Sequence, residues 1–565
     1  MKRLSRTSLM LLLFTCSVAA FGIDEYAGSP AAQKIYKAGK EALDSGDTAK
    51  AIVDYEKAIK LDPNYAAPYE DLLFLRTLQA SKSVADLSMH TTKAQQDQMK
   101  EKSDAIKDSY QKQYEALAKK YPNNPIYLFA LSRLYYEDDP MRQEELCKQA
   151  LKVDKDFMPA YDCLSAVASL AGDYPLAADY YRHVVDAHPD DPDVASKYNY
   201  FLRDDPEKYK KAVYEMVARF PTSSEAASAL YGYAFSQQDT LAQQGVLEEM
   251  ITRFPPAKFS TSKDAAEELF FDYDQTDPAK AMALAHEMIK QFPKDKTWPD
   301  YAAYTDAMAD AEQKLSSGQA AQAAALLSTV KLDSLGRLFD KTRFLVLQSR
   351  ALAAEDKVGE AYSTMFTFVA SQPTDKAQAA LFEYGTKLGK TEAQVQDELW
   401  KARSSAAMPE HPFTLTNLET GQKVSLSDYR GRVVILDFFF PNCGPCRGSY
   451  PYLQKLHNQF SSQGVALLAV NGVEGQASFV VPMFKKLNLD FTPLEGGEKF
   501  CSDVYHVRGF PTTLLIGADG RIYFATEVKL KDGSVYMKPH PWLPQQARTV
   551  ALEIEALLRA PDHKN

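Results

Sequence analysis

VVILDFFFPNCGPC, residues 433–446, joins an apolar run to two cysteines spaced two residues apart. VVILDFFF, residues 433–440, is apolar on every face, as a strand covered on both sides must be. A helix is expected from about Cys446 to Phe460, bending at Pro451, so the dithiol sits where a buried strand hands over to a helix. Taken alone, such a pair is a working redox dithiol, half of a metal site or an inert staple.

The flanking sequence supplies a fold. FTL, the turn LETGQ and VSL precede the run, and VALLAV follows it. A helical stretch near residues 477–487, the strand TLLIG, the turn ADG and the strand RIYF come next, with a final helix at about 545–559. Strands alternating with helices and ending in a hairpin predict an α/β domain over residues 413–560. KARSSAAMPEHP, residues 401–412, is short, polar and carries two prolines, the texture of a linker.

At a helix N-terminus the unpaired backbone amides favour a thiolate, and Arg447 adds a positive charge. Cys443 is therefore expected as the exposed nucleophile and Cys446 as the shielded resolving thiol. LDFFFPNCGPC resembles the active-site segment of thioredoxins, including an acidic residue, Asp437, six positions before Cys443. The resemblance implies that Asp437 moves the proton of Cys446. VRGFPTTLLI resembles the cis-proline loop of that family, which places Pro511 beside the dithiol and makes Phe510, with Gly444 and Pro445, a substrate-contacting residue. MPEHPFTLTNLETGQKVSLSDYRGRVVILDFFF and the segment from Ala477 to Tyr505 are similar to the exported TlpA-like or ResA-like branch. Two departures stand out: the lead-in is Phe439, Phe440, Pro441 and Asn442 without tryptophan, and Ser449 occupies a position that is often acidic in ResA-type proteins.

The other sites are weaker. Structural zinc needs two further ligands, no second C-x-x-C exists, and His457 and Cys501 do not complete a set, so no metal is expected. Phe440 stands where a peroxidatic site would want a hydroxyl residue. Cys501, ten residues before Pro511, is either a buried bystander or an additional redox thiol. No cofactor is expected beyond the Cys443–Cys446 disulfide.

Most of the chain is of another kind. Residues 32–65, containing IYKAGKEALDSGDTAKAIVDYEKAIKLDPNY, carry Gly39, Ala51, Tyr55, Ala58 and Pro63. These match the small, small, aromatic, small and proline positions of the tetratricopeptide repeat of about 34 residues. The register returns at residues 158–191 with Ser165, Gly172, Ala177, Tyr181 and Pro189. Ala281 to Pro293 and Ala361 to Pro373 repeat the spacing, and KKYP, ARFP, TRFP and KQFP close further units. The pattern resembles a superhelix of tetratricopeptide-type hairpins over residues 30–400, lengthened between Leu72 and Lys107, whose concave face would bind partner proteins. Cys147 and Cys163 fall on adjacent helices, as two buried small side chains or as a structural disulfide.

At 565 residues the chain exceeds one core, and a net charge of −10 argues against a nucleic-acid surface. Lys2, Arg3 and Arg6 precede LMLLLFTCSVAAFG, the layout of a signal peptide over residues 1–22. Retained, the same run would be a membrane anchor, and a lipidated Cys16 is a third reading. Export leaves Cys147, Cys163, Cys443, Cys446 and Cys501, an odd number.

The expected protein is an exported, periplasmic thiol–disulfide oxidoreductase with an all-α repeat array before a thioredoxin-like domain. Its partners would be proteins with thiols or disulfides, proteins on the array, and an upstream electron donor or acceptor. The alternative is a repeat scaffold whose second domain only docks.

Overall fold

Among the described residues, the elements from Pro30 to Ala406 are helical, and every β-strand lies after them. The computed structural model describes residues 28–84, 93–135, 139–237, 239–336, 339–473, 476–529, 535–538 and 543–560. The expected signal segment and Cys16 lie outside the described residues. The chain divides between Met216 and Val217 into two compact units, and the second holds later helices together with the sheet.

In the first unit the helices Pro30–Asp44 and Thr48–Leu61 show why small residues recur. A Cβ on Gly39 would fall 2.6 Å from Tyr55 Cε1, closer than real contacts allow, so glycine lets the tyrosine fill the gap between helices. Tyr55, Ala51 and Ala58 are fully buried, and Tyr36 packs on Tyr55 with ring centroids 4.9 Å apart. Burying a side chain of this size contributes roughly 1.5–3 kcal/mol. Asp47 starts the second helix by accepting from the Lys50 N–H, and Asp139 and Asp173 do the same for later helices. The lengthened region contains the helices Ala67–Lys82 and Lys93–Lys120. Cys147 and Cys163, on the helices Pro140–Val153 and Met158–Leu170, form a disulfide.

In the second unit the sheet has seven strands in the order β2-β1-β5-β4-β3-β6-β7. These are β1 (Thr414–Asn417), β2 (Lys423–Ser425), β3 (Val434–Phe439), β4 (Ala466–Asn471), β5 (Thr492–Glu495), β6 (Thr512–Ile516) and β7 (Ile522–Tyr523). β3 is parallel to β4 and antiparallel to β6, and β4 is parallel to β5. The arrangement is a thioredoxin fold. Every residue of β3 is buried, because one face meets Leu453, Leu456 and the C-terminal helix Leu543–Leu558 while the other meets Phe413, Tyr505 and Val507. A separate ribbon of β8 (Thr526–Lys529) and β9 (Val535–Lys538) was not expected from the sequence.

The segment expected as a linker is largely structured. The last array helix runs Glu392–Ala406, and Met408 bridges Ile522 at the sheet edge. Trp400 stacks on Tyr523 at 5.6 Å, and Arg521 donates to the backbone oxygen of Ser404 at 2.7 Å. Arg403 is buried, donates to the Val369 and Ala370 carbonyls, and is attracted by the fully buried Glu553. Arg548 holds Asp375 through two nitrogens at 2.7 and 2.9 Å. These contacts fix the end of the array to the sheet, where a linker would have left it free.

Candidate active site

β3 ends at Phe439, Pro441 and Asn442 turn the chain, and Cys443 caps the helix Gly444–Phe460. Pro445 stands in the first helical turn, where a missing N–H costs nothing. The Cys446 N–H donates to Cys443 Sγ at 3.2 Å, and the two sulfurs form a disulfide. The helix continues through Pro451. Ser449, fully buried, donates from Oγ to the Cys446 carbonyl at 2.9 Å.

The expected difference in exposure is not there. Cys443 is 3% exposed and Cys446 0%, so both sulfurs are buried in the disulfide form. Phe440 and Phe510 explain this correction: they pack against the cluster that contains Cys443 and meet edge to face at 5.5 Å. Pro445 is exposed, while Gly444, Phe510 and Pro511 are half-buried. The Phe510–Pro511 peptide bond is cis.

Asp437 is 1% exposed and belongs to the β3 face of Ile435 and Phe439, the face on which both cysteines pack. Its Oδ1 accepts from Thr513 Oγ1 at 2.7 Å across the β3–β6 pair. Its Oδ2 is buried and makes no hydrogen bond. Burial pushes the carboxyl up to about 7, with the Thr513 hydrogen bond pulling the other way.

Cys501 belongs to the opposite face of the sheet, with Val434, Leu436 and Phe438. It is a free, buried thiol in a short helical turn, Phe500–Val504, and burial pushes it up to about 12. Gly472 lies against both Cys501 and Phe510: a Cβ there would lie 2.3 Å from the phenyl Cζ and 3.1 Å from the Cys501 sulfur.

Three contributors escaped the sequence. Thr513 has a local signal, two residues after Pro511. Tyr450 has one as well, lying four residues and so about one helical turn beyond Cys446. Gly472 has none, because its neighbour Phe510 is remote in the chain.

Residues 406–525 match the AhpC/TSA family. Over 103 residues the chain is 34% identical to the thiol-disulfide oxidoreductase ResA of Bacillus subtilis, covering 18% of this chain and 56% of that protein. The ResA of Geobacillus kaustophilus is 36% identical over 110 residues, covering 20% and 62%. The chain thus spans somewhat over half the length of these curated relatives. The thioredoxin domain of a thiol-disulfide oxidoreductase from Bacteroides vulgatus superposes with a TM-score of 0.19 and 28% identity, covering 20% of this chain and 82% of that one.

Proposed function

We propose that this chain is an exported, periplasmic thiol–disulfide oxidoreductase acting on proteins through Cys443 and Cys446. The observation that carries the reading is the disulfide at a helix N-terminus, on the sheet face that holds a buried carboxyl, Asp437, near neutrality. In the reducing direction the Cys443 thiolate attacks a client disulfide. A mixed disulfide forms, and the departing client thiolate takes up a proton. Cys446 then loses its proton to Asp437 and attacks the Cys443 sulfur. The Cys443–Cys446 disulfide forms, the second client thiolate leaves, and two electrons have passed to the client. An upstream dithiol recharges the pair, and the reverse sequence oxidises clients. No metal or cofactor enters these steps. Phe510, Pro511, Gly444 and Pro445 would contact the client chain, and the tetratricopeptide-like array would recruit clients or partners.

The 3% exposure of Cys443 favours a second reading, a repeat scaffold whose thioredoxin-like domain docks without turnover. Trapping separates the two. Cys446→Ser in the full chain should accumulate mixed disulfides with exported proteins, and Cys443→Ser should not. If neither accumulates any, and the purified protein reduces no model disulfide, the scaffold stands. Recruitment is tested with a chain beginning just before Glu392, since the helix 392–406 packs on the sheet; unchanged trapping there would remove the array from the reaction.

A further inference from the structure

The acid of the site is held from the strand opposite. Asp437 on β3 and Thr513 on β6 face each other directly in the antiparallel pair, so their side chains leave the sheet on the same face. Both are buried, at 1% and 6% exposed, and Thr513 Oγ1 donates to Asp437 Oδ1 at 2.7 Å. The next hydroxyl along β6 is spent elsewhere, because Thr512 Oγ1 donates to the Gly509 carbonyl at 2.8 Å. Asp437 Oδ2 is buried and makes no hydrogen bond among the described residues. The two oxygens of this carboxyl therefore differ: Oδ1 is tied to β6 and Oδ2 is open. A threonine hydroxyl keeps a proton to give in either state of the acid, so Oδ1 accepts both as a carboxylate oxygen and as a carbonyl oxygen. The other neighbours leave that bond alone. Opposite Asp437 on β4 stands Ala469. From the helix Gly444–Phe460, burial pushes the Tyr450 phenol up, Asp437 adds to the push, and Arg447 pulls it down. The C-terminal helix packs on this face through Val550 and Ile554, and its buried Glu553 is drawn to Arg403.

We propose that Thr513 is a positioning residue for Asp437: by donating to Oδ1 from the facing strand, it fixes the carboxyl and leaves Oδ2 as the oxygen that takes up and releases the proton. The inference rests on the oxidoreductase reading. The step balances: the proton leaves Cys446 Sγ for Oδ2, Thr513 keeps its own, and the Cys446 sulfur bonds to Cys443 as the client thiolate departs with the electron pair. A hydrogen bond to the ionised carboxyl favours that form, which keeps the proton acceptor populated near neutrality. Without the donor the carboxyl stays protonated to higher pH.

Two substitutions in the full chain divide the hydroxyl from the shape. Thr513→Val keeps the branched side chain and loses the O–H; Thr513→Ser keeps the O–H and loses the methyl. The reduced protein is mixed with a disulfide-containing peptide, and closure of the Cys443–Cys446 disulfide is followed in single turnover against pH. Thr513→Val should move the midpoint of this step up by about half a pH unit, a roughly threefold slowing below the midpoint. Thr513→Ser should keep the wild-type midpoint. In an Asp437→Asn background Thr513→Val should shift nothing, because the hydroxyl acts through the carboxyl. A valine profile that superimposes on the wild type, or a serine profile that shifts as far as valine, overturns the role of Thr513 and leaves the oxidoreductase reading intact. A wild-type protein that forms no mixed disulfide defeats that reading before Thr513 is at issue.

Infrared difference spectra of the reduced full chain give a readout apart from activity. The C=O band of the protonated Asp437 carboxyl is assigned by its loss in Asp437→Asn. With the proton on Oδ2, the carbonyl oxygen is Oδ1 and carries the Thr513 bond, so the wild-type band should lie at the lower wavenumber of a hydrogen-bonded carbonyl. Thr513→Val should move it to the position of a free one. A wild-type band already at the free position puts the proton on Oδ1 and overturns the proposal, a result that stands even if the valine variant does not fold.

Discussion

Two disulfides close rings of different kinds in this chain. Cys147–Cys163 spans 16 residues and joins two array helices; Cys443–Cys446 spans three and closes the first turn of one helix. Burial does not distinguish them, since the four cysteines are between 0% and 3% exposed. Their surroundings do. The array disulfide belongs to a cluster with Leu146, Ala150 and Leu164, and the Ser132 hydroxyl lies 3.2 Å from Cys147. The sheet-domain disulfide sits at a helix N-terminus, where amides stabilise a thiolate, on the face that holds Asp437. A cross-link works as a staple or as a reagent according to what can take its charge and its proton.

The sharpest way to break this contrast is to remove one disulfide at a time. Cys443→Ala should abolish reduction of a model disulfide, a loss of about a thousandfold or more, because the thiolate is the attacking group. Cys147→Ala with Cys163→Ala should leave that rate within about twofold. Equal losses in both variants would dissolve the distinction.

The staple should show in stability instead. In the chain-entropy picture, opening a ring of this size costs about 3 kcal/mol. The double alanine variant should therefore unfold its N-terminal unit at lower denaturant while the transition of the second unit stays in place. A full chain whose two transitions move together would contradict separate roles.

Asp437→Asn tests the proton side of the contrast. Closure of the Cys443–Cys446 disulfide should slow about tenfold to a hundredfold near neutral pH. Stability should move the other way. The folded carboxyl titrates at about 7 against an ordinary value of 3.8, so between these the folded protein holds a proton that the unfolded chain releases. Wild-type stability therefore falls as pH rises through that window and levels off above it. The asparagine variant should gain nothing below the window and its full advantage above it, as read from denaturant midpoints against pH.

The legible parts of the site were local or set by short spacing. A strand apolar on every face, a dithiol at its end and an acid six residues earlier are visible in one line of sequence. The close packing of the helices Pro30–Asp44 and Thr48–Leu61 was visible because Gly39 leaves room for Tyr55. β5 was hidden by Pro493, which argues against a strand, and the β8–β9 ribbon by the shortness of its strands and the polar, exposed residues of β8. The burial of Cys443 was hidden because Phe440 and Phe510 meet across 70 residues of chain. The docking of the last array helix was hidden by the polarity of Arg403 and Ser404, whose partners lie on other elements.

Cys501 gives the smallest expected effect and the narrowest test. It was a candidate for an additional redox thiol, and proximity in sequence to Pro511 encouraged that reading. The sheet separates it from the disulfide: Cys443 and Cys446 pack on one face and Cys501 on the other. Burial holds its thiol up to about 12, so almost none is thiolate at neutral pH, and Gly472 and Phe510 stand beside its sulfur. Cys501→Ala should change disulfide-exchange rates by less than about twofold, and the native wild-type protein should resist thiol alkylation at this position. Its contribution is packing, as a small hydrophobe whose truncation leaves a cavity of about one sulfur atom and costs roughly 1 kcal/mol. Rapid alkylation of Cys501 in the folded protein, or a Cys443→Ala variant that forms a mixed disulfide through it, would make it a third redox centre.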